Sequence, residues 1–187
     1  MSAAARVLNA AGMNSPSDFP GYRALRHGRC SEQQRIYLVT TVCICRRRVF
    51  ASDHVARIAA DAIADPDKWL GAQLLCWVLM PDHWHGLIQL NSEVRLESVV
   101  ASMKGRAART VNRALNRKGF VWMPGFHDRA LRTEEELLPA ARYIVANPKR
   151  AGLVRRIGDY PYWGAIWADR TASGLKALPQ EPSASAP

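Results

Sequence analysis

Two strongly apolar segments separated by only three residues constrain the fold of this chain more than any other feature. They are residues 74–79 (LLCWVL) and 83–90 (HWHGLIQL), and the turn between them is Met80-Pro81-Asp82. Apolar runs of this length on both sides of a short turn are typical of two strands that pair antiparallel. We therefore expect an antiparallel hairpin at the centre of the fold.

The remaining patterns predict two further strands and three helices around this hairpin. An apolar, β-branched segment predicts a strand over 36–45, which places Cys43 and Cys45 on one strand face. Helices are expected over 54–64, capped by Ser52 or Asp53, over 96–116, and over 134–147, opened by Thr133 with Glu136 and closed by Asn147-Pro148, with a short extended segment over 126–132. The order β-α-β-β-α-β-α favours an α+β fold, a ferredoxin-like sandwich in which helices cover an antiparallel sheet.

Length and composition indicate one domain with polar ends. The chain has 187 residues, of which 48% are hydrophobic, which is enough for a core. We expect a flexible arm over 1–20, a single domain over 21–169 and a disordered tail over 170–187, where Ser, Ala and Pro dominate. No stretch approaches the roughly 18 apolar residues of a membrane span. The four cysteines, without a Cys-x-x-Cys motif, are typical of reduced thiols in a cytosolic protein.

The charge of the chain points to a polyanionic partner. It carries 26 Lys and Arg against 16 Asp and Glu, a formal net charge of +10. Such an excess favours nucleic acid first and an anionic membrane second, although a merely basic surface is an alternative. Arginines recur on one side of the long predicted helix, apart from its apolar stripe: Arg106, Arg109, Arg113 and Arg117. We expect this stripe to follow a phosphate backbone; the alternative is a solvated helix face.

A pair of histidines, His83 and His85, opens the second strand of the central hairpin. Residues two apart on a strand point to the same face, so the two imidazoles can converge on one divalent metal. The spacing alone is a weak signal, because two half-buried or surface histidines would show the same pattern. The position of the two histidines at the start of a central strand favours a rigid site.

A second pair, Tyr143 and Asn147, lies one turn apart on the last predicted helix, away from the centre of its apolar face. An isolated Tyr/Asn pair would usually be a surface pair. Combined with the histidines, however, it makes chemical sense. A tyrosine hydroxyl can attack phosphorus if a metal polarises the phosphate, and an amide oxygen can complete an uncharged three-ligand site.

These two motifs resemble those of a known family. Residues 77–90 (WVLMPDHWHGLIQL) and 141–154 (ARYIVANPKRAGLV) are similar to the two signatures of the single-tyrosine HUH transposases, where HUH stands for His-hydrophobe-His. The second signature resembles specifically the REP-associated tyrosine transposases of the IS200/IS605-like superfamily. Three further segments are similar to that subfamily, and the resemblance covers about residues 21–163: RALRHGRCS (23–31), IYLVTT (36–41) and FHDRALR (126–132).

The resemblance implies a role for each residue of the two motifs. His83 and His85 would bind the metal, Asn147 would be the third ligand, and Tyr143 would be the nucleophile. The metal would be Mg²⁺ or Mn²⁺, and Mn²⁺ suits imidazole nitrogen better. Trp84, which is bulkier than usual between the two histidines, would face the side opposite the metal.

The implied reaction is strand transfer on single-stranded DNA that carries a REP-type hairpin. Tyr143 would attack the phosphorus, form a 5′-phosphotyrosine and free a 3′-OH, which makes the step reversible. No residue is an obvious base for Tyr143, and His127 and Asp128 are the candidates for an accessory role. Further DNA contacts are expected at the hairpin foot and along phosphates, from Tyr22, Arg23, Arg26, Arg29, Arg46, Arg47 and Arg48.

Three other functions remain open at this point. One is a replication initiator or relaxase of the same HUH superfamily, and another is a non-catalytic DNA-hairpin-binding protein derived from a transposase. The third is a zinc-stabilised RNA-binding module that uses Cys43, Cys45, His83 and His85. The protein would act as a monomer or homodimer in the bacterial cytoplasm, associated with the nucleoid and not with a membrane.

Overall fold

The structure is a computed structural model, and it describes residues 32–133 and 136–168. The predicted arm over 1–20, the tail over 170–187 and four of the predicted DNA contacts lie outside these residues: Tyr22, Arg23, Arg26 and Arg29. Within the described ranges, no helix combines the length and the hydropathy needed to cross a bilayer. The division into arm, domain and tail therefore stays a prediction.

The described residues form five strands and three α-helices. The strands are β1 (Ile36–Val42), β2 (Ala72–Leu79), β3 (His83–Leu90), β4 (His127–Ala130) and β5 (Trp163–Ala165). The helices are α1 (Asp53–Ala64), α2 (Leu96–Ala114) and α3 (Leu137–Arg150). Their order is the expected β-α-β-β-α-β-α, with β5 added at the end.

One antiparallel sheet contains all five strands, in the order β4-β1-β3-β2-β5. The predicted hairpin of β2 and β3 lies near its centre, and β1 pairs with the other edge of β3, so that Thr40 lies opposite His85. Helices α1 and α2 pack against each other, and α3 packs on β2 and β3. The predicted α+β class, an antiparallel sheet covered by helices, is confirmed.

The side chains of β3 alternate between the two faces of the sheet and so separate two layers. Trp84 points to the α1/α2 layer, where its indole stacks on Trp69 with ring centroids 6.5 Å apart. The same indole lies over the backbone of Gly86, where a Cβ atom would clash with it. His85 points to the opposite layer, towards α3. The histidines and Trp84 thus lie on opposite faces, as the sequence predicts.

Strand β1 ends three residues earlier than the sequence predicts. Cys45 and Arg46 have φ angles of 51° and 54°, a left-handed conformation that a strand does not contain. Cys43 is consequently buried and Cys45 is exposed. The prediction that these two cysteines share one strand face is therefore wrong.

Helix α3 begins later and ends later than predicted. The proline at 148 lies inside its last turn rather than beyond its end. A proline has no N–H to donate to the carbonyl four residues earlier, which is that of Ile144. The Asn147 side chain supplies a substitute, because its Nδ2 donates to the carbonyl oxygens of Tyr143 (2.8 Å) and Ile144 (3.3 Å). The helix therefore continues to Arg150.

Candidate active site

The two histidines of β3 lie side by side on the face of the sheet that α3 covers. Their ring centroids are 4.8 Å apart, and the rings meet edge to face at 83°. His85 is 9% exposed, whereas His83, at the start of the strand, is half-buried. The alternation of side chains along a strand accounts for this juxtaposition, as expected from their spacing.

Each imidazole is held at its Nδ1 atom by a neighbouring side chain. His83 Nδ1 donates to the Asp82 carboxylate, with 2.5 Å between Nδ1 and Oδ1. His85 Nδ1 lies 2.7 Å from the Thr40 hydroxyl, which is directly across the sheet on β1. In the tautomer with a proton on Nδ1, both rings have a free lone pair on Nε2. Metal-binding histidines are commonly oriented in this way.

The local electrostatics keep His85 neutral and Asp82 charged. Burial, with the charges of His83, Arg150 and Arg46, lowers the pKa of His85 to about 4, so this imidazole is neutral at physiological pH. Burial alone would raise the pKa of the Asp82 carboxyl, but the His83 hydrogen bond and the charges of His83 and Arg46 outweigh it and lower that pKa. Asp82 therefore remains an anion that accepts from His83.

Tyr143 of α3 lies beside His85. Its ring centroid is 6.1 Å from that of His85, at an interplanar angle of 72°, and the residue is 44% exposed. The Arg150 guanidinium carbon lies over the same ring, 4.6 Å from its centroid. Within the described residues the Tyr143 hydroxyl has no hydrogen-bond partner, so it is accessible to a substrate.

Asn147 lies one turn beyond Tyr143 on α3 and is half-buried. Its hydrogen bonds are made within α3 and not with the histidines. Because Nδ2 is engaged by two carbonyl oxygens, the side-chain oxygen Oδ1 is left as the free atom of the amide. The oxygen of an amide, and not its nitrogen, is the atom able to bind a divalent metal.

The two accessory candidates on β4 point in different directions. His127 pairs with Thr40, which pairs with His85, so the three residues form one row across the sheet. Paired residues share a face, and His127 therefore lies on the α3 side. Asp128 pairs with Val39, one position along, and belongs to the opposite face. The structure does not bring Asp128 to the tyrosine.

The loop after β1 brings one arginine, Arg46, close to the histidine pair. Arg46, Arg47 and Arg48 are all exposed. The Arg46 guanidinium is 3.6 Å from the Asp82 carboxylate, which in turn holds His83. Arg46 is therefore a cation near the site, and the expectation that all three arginines contact DNA phosphates stays a prediction.

The basic stripe of α2 is not uniform. Arg106 donates from Nε to the carbonyl of Ala62 (2.8 Å) and from Nη1 to that of Lys68 (3.1 Å), and its guanidinium stacks over Trp69. It joins α2 to α1 and its loop, so the prediction that it follows a phosphate backbone is corrected. Arg117 is half-buried and bonds Asn112, whereas Arg109 and Arg113 are exposed. Helix α2 lies on the face opposite Tyr143.

The cysteines do not join the histidines in a metal cluster. Burial, with the charge of Asp82, raises the pKa of Cys43 to about 12, which keeps it a neutral thiol. Across residues 32–133 and 136–168, no three His, Cys, Asp or Glu side chains are arranged to hold a metal ion. The structure gives no support to the zinc-stabilised module.

Fold and site together define a class of protein with an antiparallel sheet, a histidine pair and a facing tyrosine. Residues 31–147 match the family model described as "Transposase IS200 like", and the chain belongs to this family. The resemblance stated from the sequence is thereby confirmed. The comparison with curated proteins gives no match.

Solved structures of two transposases are similar to this chain. The first is a REP-associated tyrosine transposase bound to a REP hairpin, with 20% identity, a TM-score of 0.58, and coverage of 74% of this chain and 81% of that chain. The second is a putative transposase from Deinococcus radiodurans R1, with 21% identity, a TM-score of 0.42, and coverage of 64% and 95%. The first similarity supports the same fold.

Sequence reasoning missed three residues of the site: Asp82, Thr40 and Arg150. Asp82 directly precedes His83, so its adjacency was a usable signal. Thr40 is 45 residues from His85 and becomes visible only with the strand register. Arg150 was missed because the predicted helix ended at Asn147, although Arg150 lies two turns beyond Tyr143 on the same side of α3.

Proposed function

We propose that this transposase is a metal-dependent endonuclease and strand transferase that acts on single-stranded DNA hairpins of the REP type through a 5′-phosphotyrosine. The observation that carries the proposal is the Tyr143 ring beside His85, with an unbonded hydroxyl and two histidines held at Nδ1. This arrangement supports the proposal, because a tyrosine hydroxyl and two imidazoles lie close together on one face of the sheet.

The residues present fit a divalent cation. His83 and His85 would bind through Nε2, and Asn147 through Oδ1, which leaves the metal charge undiminished. Mg²⁺ or Mn²⁺ is expected, and a bound ion would polarise the phosphate oxygens and stabilise the charge that develops on them. Asp82 and Thr40 would fix the ring orientation of the two histidine ligands.

The chain's own side chains then carry out the transfer. The Tyr143 oxygen attacks the phosphorus and a P–O bond forms, while the bond to the 3′ oxygen of the neighbouring nucleotide breaks. The phenolic proton is lost, and the leaving 3′ oxygen gains a proton. His127 is the remaining accessory candidate for that transfer, because it lies on the same face of the sheet. A new 3′-OH can reverse the step and join strands, without an external energy source.

Charge and fold support a nucleic-acid substrate. The chain carries a net charge of +10, and the exposed Arg46 of the loop after β1 lies 3.6 Å from the carboxylate that holds His83. The REP-associated transposase with the same fold is described as bound to a REP hairpin. A hairpin with an unpaired flank is therefore the substrate class we propose, and monomer and homodimer are both compatible with it.

A covalent-adduct assay tests this function. Single-stranded hairpins with unpaired flanks, taken from repeated palindromes of the source genome, are incubated with the protein and Mn²⁺ or Mg²⁺ and separated on a denaturing gel. We expect a metal-dependent protein–DNA band that retains a 3′-end label, while a 5′-end label leaves with the free 3′-OH fragment. Tyr143→Phe should abolish the band and preserve hairpin binding.

Tyr162→Phe is the matched control, because Tyr162 donates to the backbone of Asp53 away from the histidines. This variant should keep the adduct. An adduct that survives Tyr143→Phe would refute the assignment of the nucleophile. Firm hairpin binding without any adduct by the unmodified protein would instead favour the non-catalytic hairpin-binding function.

A further inference from the structure

Arg150, in the last turn of α3, is an arginine of the site that the proposed chemistry has not yet used. Its guanidinium lies over the Tyr143 ring, 4.6 Å from the centroid. It is exposed, and within residues 32–133 and 136–168 it makes no ion pair or hydrogen bond. A cation is thus held beside the nucleophile with its N–H donors free.

The guanidinium carbon of Arg150 lies over the Tyr143 ring, which is a cation–π contact. Such a contact uses none of the guanidinium N–H groups as hydrogen-bond donors, so these donors remain free for an anion. Arg46, in contrast, is 3.6 Å from the carboxylate of Asp82. Arg150 therefore contacts the Tyr143 ring and has no acidic partner among the described residues.

Position and chemistry together specify a ligand. The group that reaches the Tyr143 hydroxyl in the proposed reaction is a phosphodiester, whose two non-bridging oxygens share one negative charge. The planar fork of an arginine matches such a pair of oxygens, whereas a lysine provides a single point charge. The Arg150 charge also acts on His85, which places it close to the histidine pair.

We propose that Arg150 binds the non-bridging oxygens of the phosphodiester that Tyr143 attacks. The ring of Tyr143 holds the guanidinium, and the guanidinium holds the phosphate against the hydroxyl. This inference rests on the proposed function, because it assumes that Tyr143 is the nucleophile. It adds to that function a phosphate-binding residue that is independent of the metal ligands.

The test uses a neutral linkage in the DNA together with a change in the protein. The adduct assay first identifies the cleaved linkage, and a methylphosphonate then replaces that phosphate. Binding is measured in the Tyr143→Phe protein, which keeps the ring but not the hydroxyl, and with a chelator present to exclude the metal contribution. Three further proteins combine Tyr143→Phe with Arg150→Gln, Arg150→Lys or Lys149→Gln.

We expect the neutral linkage to weaken binding by the Arg150 protein about tenfold or more, as for the loss of a charge-assisted hydrogen bond. Arg150→Gln should weaken binding to the natural hairpin and become nearly indifferent to the neutral linkage. Arg150→Lys should retain part of the discrimination. Lys149→Gln, which removes a neighbouring exposed charge from the same helix turn, should discriminate like the parent.

Equal losses in the parent and in Arg150→Gln would overturn the inference, as would discrimination of the same size for a methylphosphonate in the stem. Melting temperatures of the Arg150 and Lys149 variants check that all of them fold. If Arg150→Gln does not fold, Arg150→Lys is compared with the parent instead. If the unmodified protein forms no adduct at all, the proposed function fails and the inference falls with it. An adduct without coupling between Arg150 and the linkage refutes only the inference.

Discussion

His83 and His85 lie on the same face of β3, but their imidazoles are hydrogen-bonded to different side chains. A carboxylate holds His83 at 2.5 Å, and an uncharged hydroxyl holds His85 at 2.7 Å. The carboxylate makes its imidazole a stronger electron donor, whereas Thr40 only fixes the ring of a largely buried residue. The more buried histidine therefore has the uncharged partner, which avoids burying a carboxylate beside it.

Thr40→Val should weaken metal binding without unfolding the protein. The substitution removes the oxygen that orients His85, and the loss of such a partner typically lowers metal affinity about 10- to 100-fold. The measurement is a Mn²⁺ titration followed by the electron paramagnetic resonance signal of the free ion. Thr41→Val is the matched control, because the Thr41 hydroxyl is buried without a hydrogen-bond partner in the described part of the chain.

Thr41→Val should leave metal affinity unchanged and leave stability equal or slightly higher, since it removes an unsatisfied polar group. The same drop in Mn²⁺ affinity for both variants would mean that Thr40 has no specific role at His85. An unchanged affinity in Thr40→Val would lead to the same conclusion.

How much of the site can be predicted from the sequence depends on how far apart the contacting residues are along the chain. His83 and His85 share a strand face, and Tyr143 and Asn147 share a helix side, so local geometry alone groups each pair. The encounter of Tyr143 with His85 is a tertiary contact between elements 58 positions apart in the numbering, and here the family resemblance anticipated it. Thr40 has no local signal of any kind.

At the scale of elements, α2 shows how one periodic pattern contains residues with different tasks. Arg106 and Arg109 recur at the same helical spacing, so the sequence assigns both to one stripe. The structure separates them, because Arg106 reaches across to carbonyl oxygens of Ala62 and Lys68 while Arg109 remains exposed. Helical periodicity shows on which side of the helix a residue lies, but it does not show whether another element packs against that side.

Exchanging these two arginines for glutamine should therefore affect different properties. Arg106→Gln loses the stack on Trp69 and at least one bond to a carbonyl oxygen, so we expect a loss of about 1–3 kcal/mol of unfolding free energy. Arg109→Gln should change stability by less than about 0.5 kcal/mol. If α2 contacts DNA, Arg109→Gln also weakens hairpin binding and lowers the salt slope by about 1.

Urea unfolding and hairpin binding at several salt concentrations measure the two effects on the same proteins. A salt slope that Arg109→Gln leaves unchanged would remove α2 from the DNA-binding surface. Since α2 lies on the face of the sheet opposite Tyr143, that result would confine the DNA to the α3 side and to the loop after β1.

For the molecule as a whole, the sheet divides two tasks between its faces. The alternating side chains of β3 place Trp84 in the layer of α1 and α2, and the histidines beneath α3. This division was predictable, because a period of two residues specifies the faces of a strand. The early end of β1 was not predictable. No residue type in its apolar sequence indicates that Cys45 and Arg46 adopt a left-handed conformation.

A half-buried lysine joins helix α2 to the loop that precedes β4. Lys104 of α2 donates to the carbonyl oxygens of Met123 and Gly125, each at 2.7 Å. The segment it holds continues the edge of β1, where Met123 donates to the carbonyl of Val42. Val42 in turn lies opposite His83, so this loop supports the end of the sheet that carries the site.

Lys104 should make the stability of the protein depend on pH in a defined range. Burial lowers the pKa of this ammonium from 10.5 to about 8. Between these values the unfolded chain holds more protons than the folded one, so the lysine's contribution to stability rises with pH, and below pH 8 its full cost is present. Relative to Lys104→Met, the unmodified protein should gain about 2 kcal/mol of unfolding free energy between pH 7 and pH 9.5.

Urea unfolding of both proteins at the two pH values measures this difference. The contributions of the other titrating groups cancel because both proteins contain them. A difference that stays constant would show that Lys104 remains charged in the folded protein throughout the range.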